Sequence, residues 1–567
     1  MPGPFSVEAI VAPPGFNRWK VPPASIAIHL CIGSVYAWSN FNPALVKVQG
    51  VVTAAPGDWS LSDVVWVFTT AIVILGLAAA FAGKWLERVG PRVVGTTAAV
   101  CWGCGFVIAG LGIWLHQLWL LYFGYGFIGG IGLGLGYVSP VSTLIKWFPD
   151  RRGMAAGMAI MGFGGGAIIG APLIDFLVQQ YYRAPEYLGT RDSIEMVQHE
   201  GRLFARTQSG ERLAVVISAD EAAKLPRPGQ AGIYVVDTGS VGVAETFATL
   251  GIGYLLVMLI AAFSYRIPAP DWKPTGWVPA EAASHRMISL HTIDVNQAMK
   301  TRQFYLLWIV LCFNVTAGIG VLGVAKTMMS DIFGTTLPKI VTPAFAGTFV
   351  LMIGVFNMLG RFFWAWTSDQ LGRQRTYAIY FLLGIPLYLS LPYFAYRQSV
   401  APSVTWLIAF YSATMLIFTM YGGGFATIPA YLSDLYGSKY VGGIHGRLLT
   451  AWSTAGVLGP WAITSLREHS LKQALQTLIQ QVDPSEFMQR FGAPPDQLDA
   501  LIANKTVSLP RLMSIAPSGT LDPSATLYNS TMYLMAALLA VAMIANALIR
   551  PVDSSIETAH TNQTHRG

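Results

Sequence analysis

Gly83-Lys84-Trp85-Leu86-Glu87-Arg88-Val89-Gly90-Pro91-Arg92 and Ala365-Trp366-Thr367-Ser368-Asp369-Gln370-Leu371-Gly372-Arg373 are two versions of one pattern. Each closes a long apolar run, places an acid (Glu87, Asp369) three residues before a glycine (Gly90, Gly372), and follows with arginine (Arg92, Arg373). The glycine permits a tight turn. The acid can cap the next helix N-terminus or pair with a neighbouring arginine such as Arg88. One copy is weak; two copies six apolar runs apart indicate internal duplication.

Outward from these turns, runs long enough to cross a bilayer, about 20 mostly apolar residues each, recur along the chain. They fall near 23–45, 63–83, 93–115, 118–141, 154–178 and 246–265. A second set lies near 304–326, 344–366, 377–396, 404–428, 442–466 and 526–549. The expected fold is therefore an all-α integral membrane protein of twelve transmembrane helices, two six-helix bundles related by pseudo-two-fold symmetry. Composition agrees: 53% of the 567 residues are hydrophobic and 11% charged, against about a quarter charged in soluble domains.

The segment 266–303, rich in proline and charge, reads as a cytoplasmic linker between bundles spanning 23–265 and 304–549. Residues 1–22 and 550–567 read as cytoplasmic termini. Two long segments, 180–245 and 467–525, interrupt the fifth-to-sixth connection of each half. The first alternates apolar and polar residues at 202–205, 213–217 and 233–236 and reads as β-rich; the second reads as short helices broken by prolines.

Short loops on one side carry Lys84, Arg88, Arg92, Lys146, Arg151, Arg152, Arg373, Arg375, Lys439 and Arg447, and the linker adds Arg266, Lys273, Arg286, Lys300 and Arg302. The opposite short loops carry Lys47, Lys326, Lys339 and Arg397. This bias puts both termini inside and both insertions outside. The formal charge of +7 is thereby an orientation signal rather than a nucleic-acid footprint.

Several further stretches resemble the oxalate/formate antiporter family of the major facilitator superfamily, a neighbour of the monocarboxylate porters. They are Gly33-Ser-Val-Tyr36-Ala-Trp38-Ser, Gly132-Leu-Gly134-Leu-Gly136-Tyr137-Val-Ser-Pro140, Lys146-Trp-Phe-Pro149-Asp150-Arg151-Arg152-Gly153 and Gly162-Phe-Gly-Gly-Gly166 with Pro172. The second half adds Asn357-x-x-Gly360-Arg361, Tyr421-Gly-Gly-Gly-Phe425 and Gly446-x-x-x-Thr450-Ala451-Trp452. The resemblance implies a secondary transporter of small organic anions, monocarboxylates of the formate, lactate or pyruvate kind, or carboxylate exchange, working by alternating access. It also implies a bacterial inner membrane and a monomer.

The functional anchor is Arg361. A mid-helix arginine costs about 2.5–3.5 kcal/mol on insertion scales, and an anion held by its fork of donors would compensate. Eight residues separate it from Asp369, about 12 Å at 1.5 Å per residue, a depth that strains the alternative of snorkelling to the interface. The family places a substrate-binding arginine here. Asn357 lies one turn earlier on the same face.

Two departures bear on cargo. The oxalate/formate exchanger type carries a lysine in the eleventh helix, and the matching position here is Trp452; one positive charge then remains, favouring a monocarboxylate. Monocarboxylate porters often place an acid one turn before the arginine, where Asn357 stands, and an amide does not titrate. Tyr36, Trp38, Tyr137, Tyr421 and Phe425 are candidates to line the rest of the site. His29 reads as a satisfied core histidine, and Asp175 and Glu245 as solvated helix-end acids.

No G-x-x-x-x-G-K-[ST] loop occurs, and the glycine clusters follow no strand, so neither ATP-driven pumping nor dinucleotide binding is expected. Cys101 and Cys104 sit in a glycine-rich apolar helix and read as packing residues. No metal site, cofactor or nucleophile–base constellation is expected, so the chain is not read as an enzyme. The expected partners are a small carboxylate, the bilayer, and a proton or counter-anion. A different substrate class, or a non-transporting sensor, are the alternatives.

Overall fold

In a computed structural model, the described residues are 3–148, 152–199, 202–208, 210–223, 225–227, 229–269, 272–274, 293–437, 441–504 and 506–552. Pro149, Asp150, Arg151, Arg286, Lys439, most of the linker and the last residues of the tail lie outside them, as do the side chains of Lys84, Glu87 and Asp369.

Eleven helices among the described residues are long and apolar enough to cross a membrane. They are α1 (Arg18–Asn40), α2 (Leu61–Ala82), α3 (Arg88–Trp114), α4 (Leu118–Val141), α5 (Gly157–Tyr181), α6 (Val243–Ser264), α7 (Arg302–Phe333), α8 (Pro343–Ser368), α9 (Arg373–Val400), α10 (Val404–Tyr436) and α12 (Pro523–Ala547). The remaining span of the twelve, α11 (Thr450–Ile479), follows a shorter helix at Val441–Leu448. Its hydroxyl-bearing residues bond to neighbouring helices. Its Ser453 hydroxyl donates to the Val73 carbonyl of α2, and the Thr450 hydroxyl accepts from the Trp308 indole of α7.

The helix starts are written locally. Ser60 and Asp63 form a reciprocal capping box at α2, and the side chains of Thr301, Thr342 and Ser403 accept from backbone N–H groups at the starts of α7, α8 and α10. Each satisfies a donor that has no partner inside the helix. The two repeated turns hinge on left-handed glycines, φ 81° at Gly90 and 86° at Gly372. Arg92 then donates to the carbonyls of Pro4 and Phe263, and Arg373 to Asp434 and Ser368.

Within the first six helices α1 lies against α4, α5 and α6; within the last six, α7 lies against α8, α11 and α12. The two sets meet where α5 runs along α8 and α2 along α11. Backbones touch through glycine at Gly33 and Gly166, where an added Cβ on Gly166 would fall 2.2 Å from the Gly33 carbonyl carbon.

The insertion after α5 is a five-stranded antiparallel sheet of order β1-β5-β4-β3-β2, with β1 Tyr187–Gly189, β2 Met196–His199, β3 Arg202–Thr207, β4 Gly210–Ile217 and β5 Gly232–Val235. Val215, Ile217, Tyr234 and Val236 close over Val52 and Ala55 of the α1–α2 connection. The insertion after α11 forms short helices at Pro484–Phe491, Leu498–Ala503 and Leu509–Met513. The insertions meet where the Arg511 guanidinium pairs with Glu221 at 3.2 Å and donates to the Val216 carbonyl.

Candidate functional site

Arg361 projects from α8 into the centre of the helix assembly and is 1% exposed. Its Nε donates to Asn357 Oδ1 at 3.2 Å, one turn back on the same helix. Its two terminal nitrogens, Nη1 and Nη2, are buried with no hydrogen-bond partner among the described residues. The guanidinium carbon sits 5.4 Å from the ring centroid of Phe425. A cation out of water with two unmatched N–H edges is costly, and a partner that completes it is stabilising.

The surrounding rings form a closed circuit. Tyr36 of α1 meets Phe163 of α5 at 5.1 Å, Phe163 meets Trp452 of α11 at 5.6 Å, and Trp452 meets Phe425 of α10 at 4.7 Å. Phe425 meets Tyr421 at 5.4 Å, and Tyr421 returns to Tyr36 at 6.1 Å, its hydroxyl donating to that of Tyr36. Tyr137 of α4 lies 5.6 Å from both Phe163 and Trp452. The field of Arg361 reaches the hydroxyls of Tyr36, Tyr137 and Tyr421. Among the described residues, three more buried donors have no partner: Asn357 Nδ2, the Tyr137 hydroxyl and Trp452 Nε1.

Glycine sets these approaches. A Cβ on Gly360 would lie 2.1 Å from the Thr419 carbonyl oxygen, and one on Gly422 2.2 Å from that of Asn357, so α8 and α10 touch backbone to backbone. A Cβ on Gly164 would lie 2.6 Å from Arg361 Nε; the arginine rests on α5 only because that residue has no side chain.

The structure thus brings together Arg361, Asn357, Tyr36, Tyr137, Tyr421, Phe425 and Trp452. It does not bring Trp38 to them. Trp38 packs 4.6 Å from Tyr125, with Phe41 and Phe247 beyond, inside the first six helices. Residues two apart on a helix face different ways, and here the chain is 3-10 over Ser34–Asn40. Phe163 and Gly164, part of the group, were not singled out from sequence; the signal was the glycine run in which they sit.

Asp175 is also corrected. It is not a solvated helix-end acid: its carboxylate accepts from Lys326 Nζ of α7 at 2.5 Å, linking the two sets of six helices near the insertions. Asn42 reinforces the same junction by donating to the Gly323 carbonyl. Glu245 pairs with the exposed Arg183 at 3.1 Å. Cys104 is exposed on the α3 surface rather than packed. Gly90, Arg92, Gly372 and Arg373 occupy the turns described above, Gly83 lies in helix, and Arg88 is exposed.

This architecture is that of a multi-pass membrane carrier. The sequence profile of the Major Facilitator Superfamily matches residues 30–189 and 231–460, and the chain belongs to that superfamily. It is 23% identical over 449 residues to the oxalate:formate antiporter of Oxalobacter formigenes, covering 78% of this chain and 83% of that protein. It is 22% identical over 473 residues to apicoplast pyruvate carrier 1 of Toxoplasma gondii, covering 74% and 78%. Among solved structures, an inward-facing, unoccupied bacterial homologue of the human lysosomal transporter Spinster shares the fold, with TM-score 0.53 and 15% identity over 94% of this chain and 97% of that one. The protein is a major facilitator transporter, not an enzyme.

Proposed function

We propose that the protein carries small organic anions, with a carboxylate bound across the two terminal nitrogens of Arg361. The observation that carries the reading is that both nitrogens are buried with no partner among the described residues, beside three further such donors. A carboxylate accepts two parallel N–H bonds from such a fork. Asn357 restrains the fork by accepting from Nε. Sugar sites rest on many amides; here the dominant group is a cation, and its complement is an anion.

Trp452, where the exchanger type carries a second cation, leaves one charge to balance, and the closed circuit of rings favours a compact cargo. Monocarboxylates such as formate, lactate and pyruvate fit both conditions. The names of the antiporter and pyruvate carrier above point the same way. The segments 23–265 and 304–549 act as two bodies rocking about this centre, joined by 266–303. Anion binding neutralises Arg361 and eases closure around it. Both termini face the cytoplasm of a bacterial inner membrane, the insertions face outside, and a monomer is the working unit.

Counterflow of labelled formate, lactate, pyruvate and oxalate into proteoliposomes tests this. Accelerated entry of at least one monocarboxylate supports it. Transport of a neutral sugar with no response to any carboxylate would overturn it, and no flux of any solute would favour a sensor.

A further inference from the structure

The two insertions belong to opposite halves of the chain, and each is fixed to its own half. Residues 180–245 leave α5 and return into α6. Their strands close over Val52 and Ala55, and the Asp237 N–H donates to the Gln49 carbonyl at 3.0 Å. That α1–α2 connection is itself held by the Asp58 carboxylate, which accepts from the N–H groups of Gln49, Gly50 and Ala55. Residues 467–525 leave α11 and return into α12. α11 runs on to Ile479, and Leu509–Met513 lies against it. Phe487, Phe491 and Leu512 are buried in the same apolar core as Leu475 and Leu478 of α11. Thr335, just past α7, donates to Asp522 at 2.6 Å.

Arg511 bridges this division. Its Nη1 donates to the Thr506 carbonyl of its own insertion at 3.3 Å. Nε and Nη2 both reach Glu221 Oε1, at 3.3 and 3.2 Å, and Nη2 also donates to the Val216 carbonyl at 3.1 Å. Glu221 is oriented to receive them. It lies in the first turn of the short helix Ala219–Ala223, where its other oxygen accepts from the N–H and hydroxyl of Ser218 in a capping box. The Arg511 and Glu221 side chains are 20% and 32% exposed, so the pair is partly shielded from water. A second approach lies at Gly492, φ 73°, where a Cβ would fall 2.7 Å from the Gln198 side-chain oxygen on β2.

In the two-body cycle proposed above, each insertion moves with the half that holds both its ends. The Arg511 contact then has to part when the halves separate at that end. A contact made in one arrangement and lost in the other biases the equilibrium by its own free energy. We propose that the two insertions form a latch, with Arg511 as its bolt: the contact with Glu221 and the Val216 carbonyl is made only while the insertion end is closed, and it sets how often the central site opens there. The inference rests on the two-body reading and adds a control of access to it, without drawing on the cargo's identity.

The first test reads opening without cargo. Gly323→Cys, in a background without the native cysteines, places one thiol on α7 against α2. A Cβ there would lie 3.6 Å from Val65, an ordinary contact that is covered while the halves meet. Arg511→Ala should speed its labelling about fivefold, the upper range for a partly exposed ion pair, with melting temperature near that of the parent. Glu221→Gln, which keeps the capping box, should act in the same direction, and the double variant should not exceed Arg511→Ala, since one contact is lost once. Unchanged labelling in Arg511→Ala overturns the proposal. So does a lowered melting temperature without faster labelling, which would make the pair a brace. The second test joins Glu221→Cys to Arg511→Cys with a short bifunctional thiol reagent. Counterflow of a labelled carboxylate should be lost in the joined protein and kept in either single-cysteine protein treated alike; full counterflow in the joined protein overturns the latch. Counterflow absent before treatment counts against the anion reading, and the labelling result then decides this one.

Discussion

The Tyr421 hydroxyl donates a 3.1 Å hydrogen bond to the Tyr36 hydroxyl, joining α10 in the last six helices to α1 in the first six. The two residues sit at the boundary that must change in alternating access, and each also packs against an aromatic neighbour of Arg361. Replacing either by phenylalanine keeps the rings and removes the bond. Tyr36→Phe and Tyr421→Phe should each change apparent affinity by about fivefold, near 1 kcal/mol for one hydrogen bond. Their double variant should resemble either single one, because one interaction is lost once. Additive effects in transport assays would mean that the hydroxyls act separately.

Asp175 and Lys326 tie α5 to α7 close to the insertions, with side chains 21% and 9% exposed. Asp175→Asn leaves a largely buried ammonium without its counter-charge, a loss of up to about 3 kcal/mol. The expected outcome is readier opening at that end, seen as faster labelling of a single cysteine at Met329→Cys, a buried position one turn from Lys326, in a background without the native cysteines. Reversing the pair, Asp175→Lys with Lys326→Asp, should restore slow labelling. Unchanged labelling in Asp175→Asn would show that the pair is not part of a gate.

Gly164 gives a steric test of the same centre. The atom an added methyl group meets is Arg361 Nε, near the far end of a flexible side chain rather than backbone. Gly164→Ala should therefore leave thermal stability nearly unchanged while shifting the guanidinium. Apparent affinity for the carboxylate should fall about tenfold, or 1.4 kcal/mol. A large drop in melting temperature with wild-type affinity would contradict this placement.

The elements legible from sequence were those with a local signature. Apolar runs gave the spans, and the duplicated glycine turns gave their grouping, because a left-handed glycine is a property of a few consecutive residues. Asn357 and Arg361, four apart, share a face through helix geometry alone. What failed depended on contacts between distant segments. Trp38 shares a helix with Tyr36 but faces Tyr125, because residues two apart on a helix point different ways. Asp175 finds Lys326 across 151 residues of chain, a pairing no local pattern encodes. Phe163 and Gly164 were hidden because a glycine run marks close approach without naming what approaches.

In the proposed cycle the two terminal nitrogens of Arg361, without partners among the described residues, hold the cargo's carboxylate. Binding and counterflow of a labelled monocarboxylate, compared between wild type and Arg361→Gln matched for expression and melting temperature, test this. Loss of both activities, by about a hundredfold or more for two charge-assisted hydrogen bonds, is the predicted result. Wild-type binding and flux in Arg361→Gln would contradict the account.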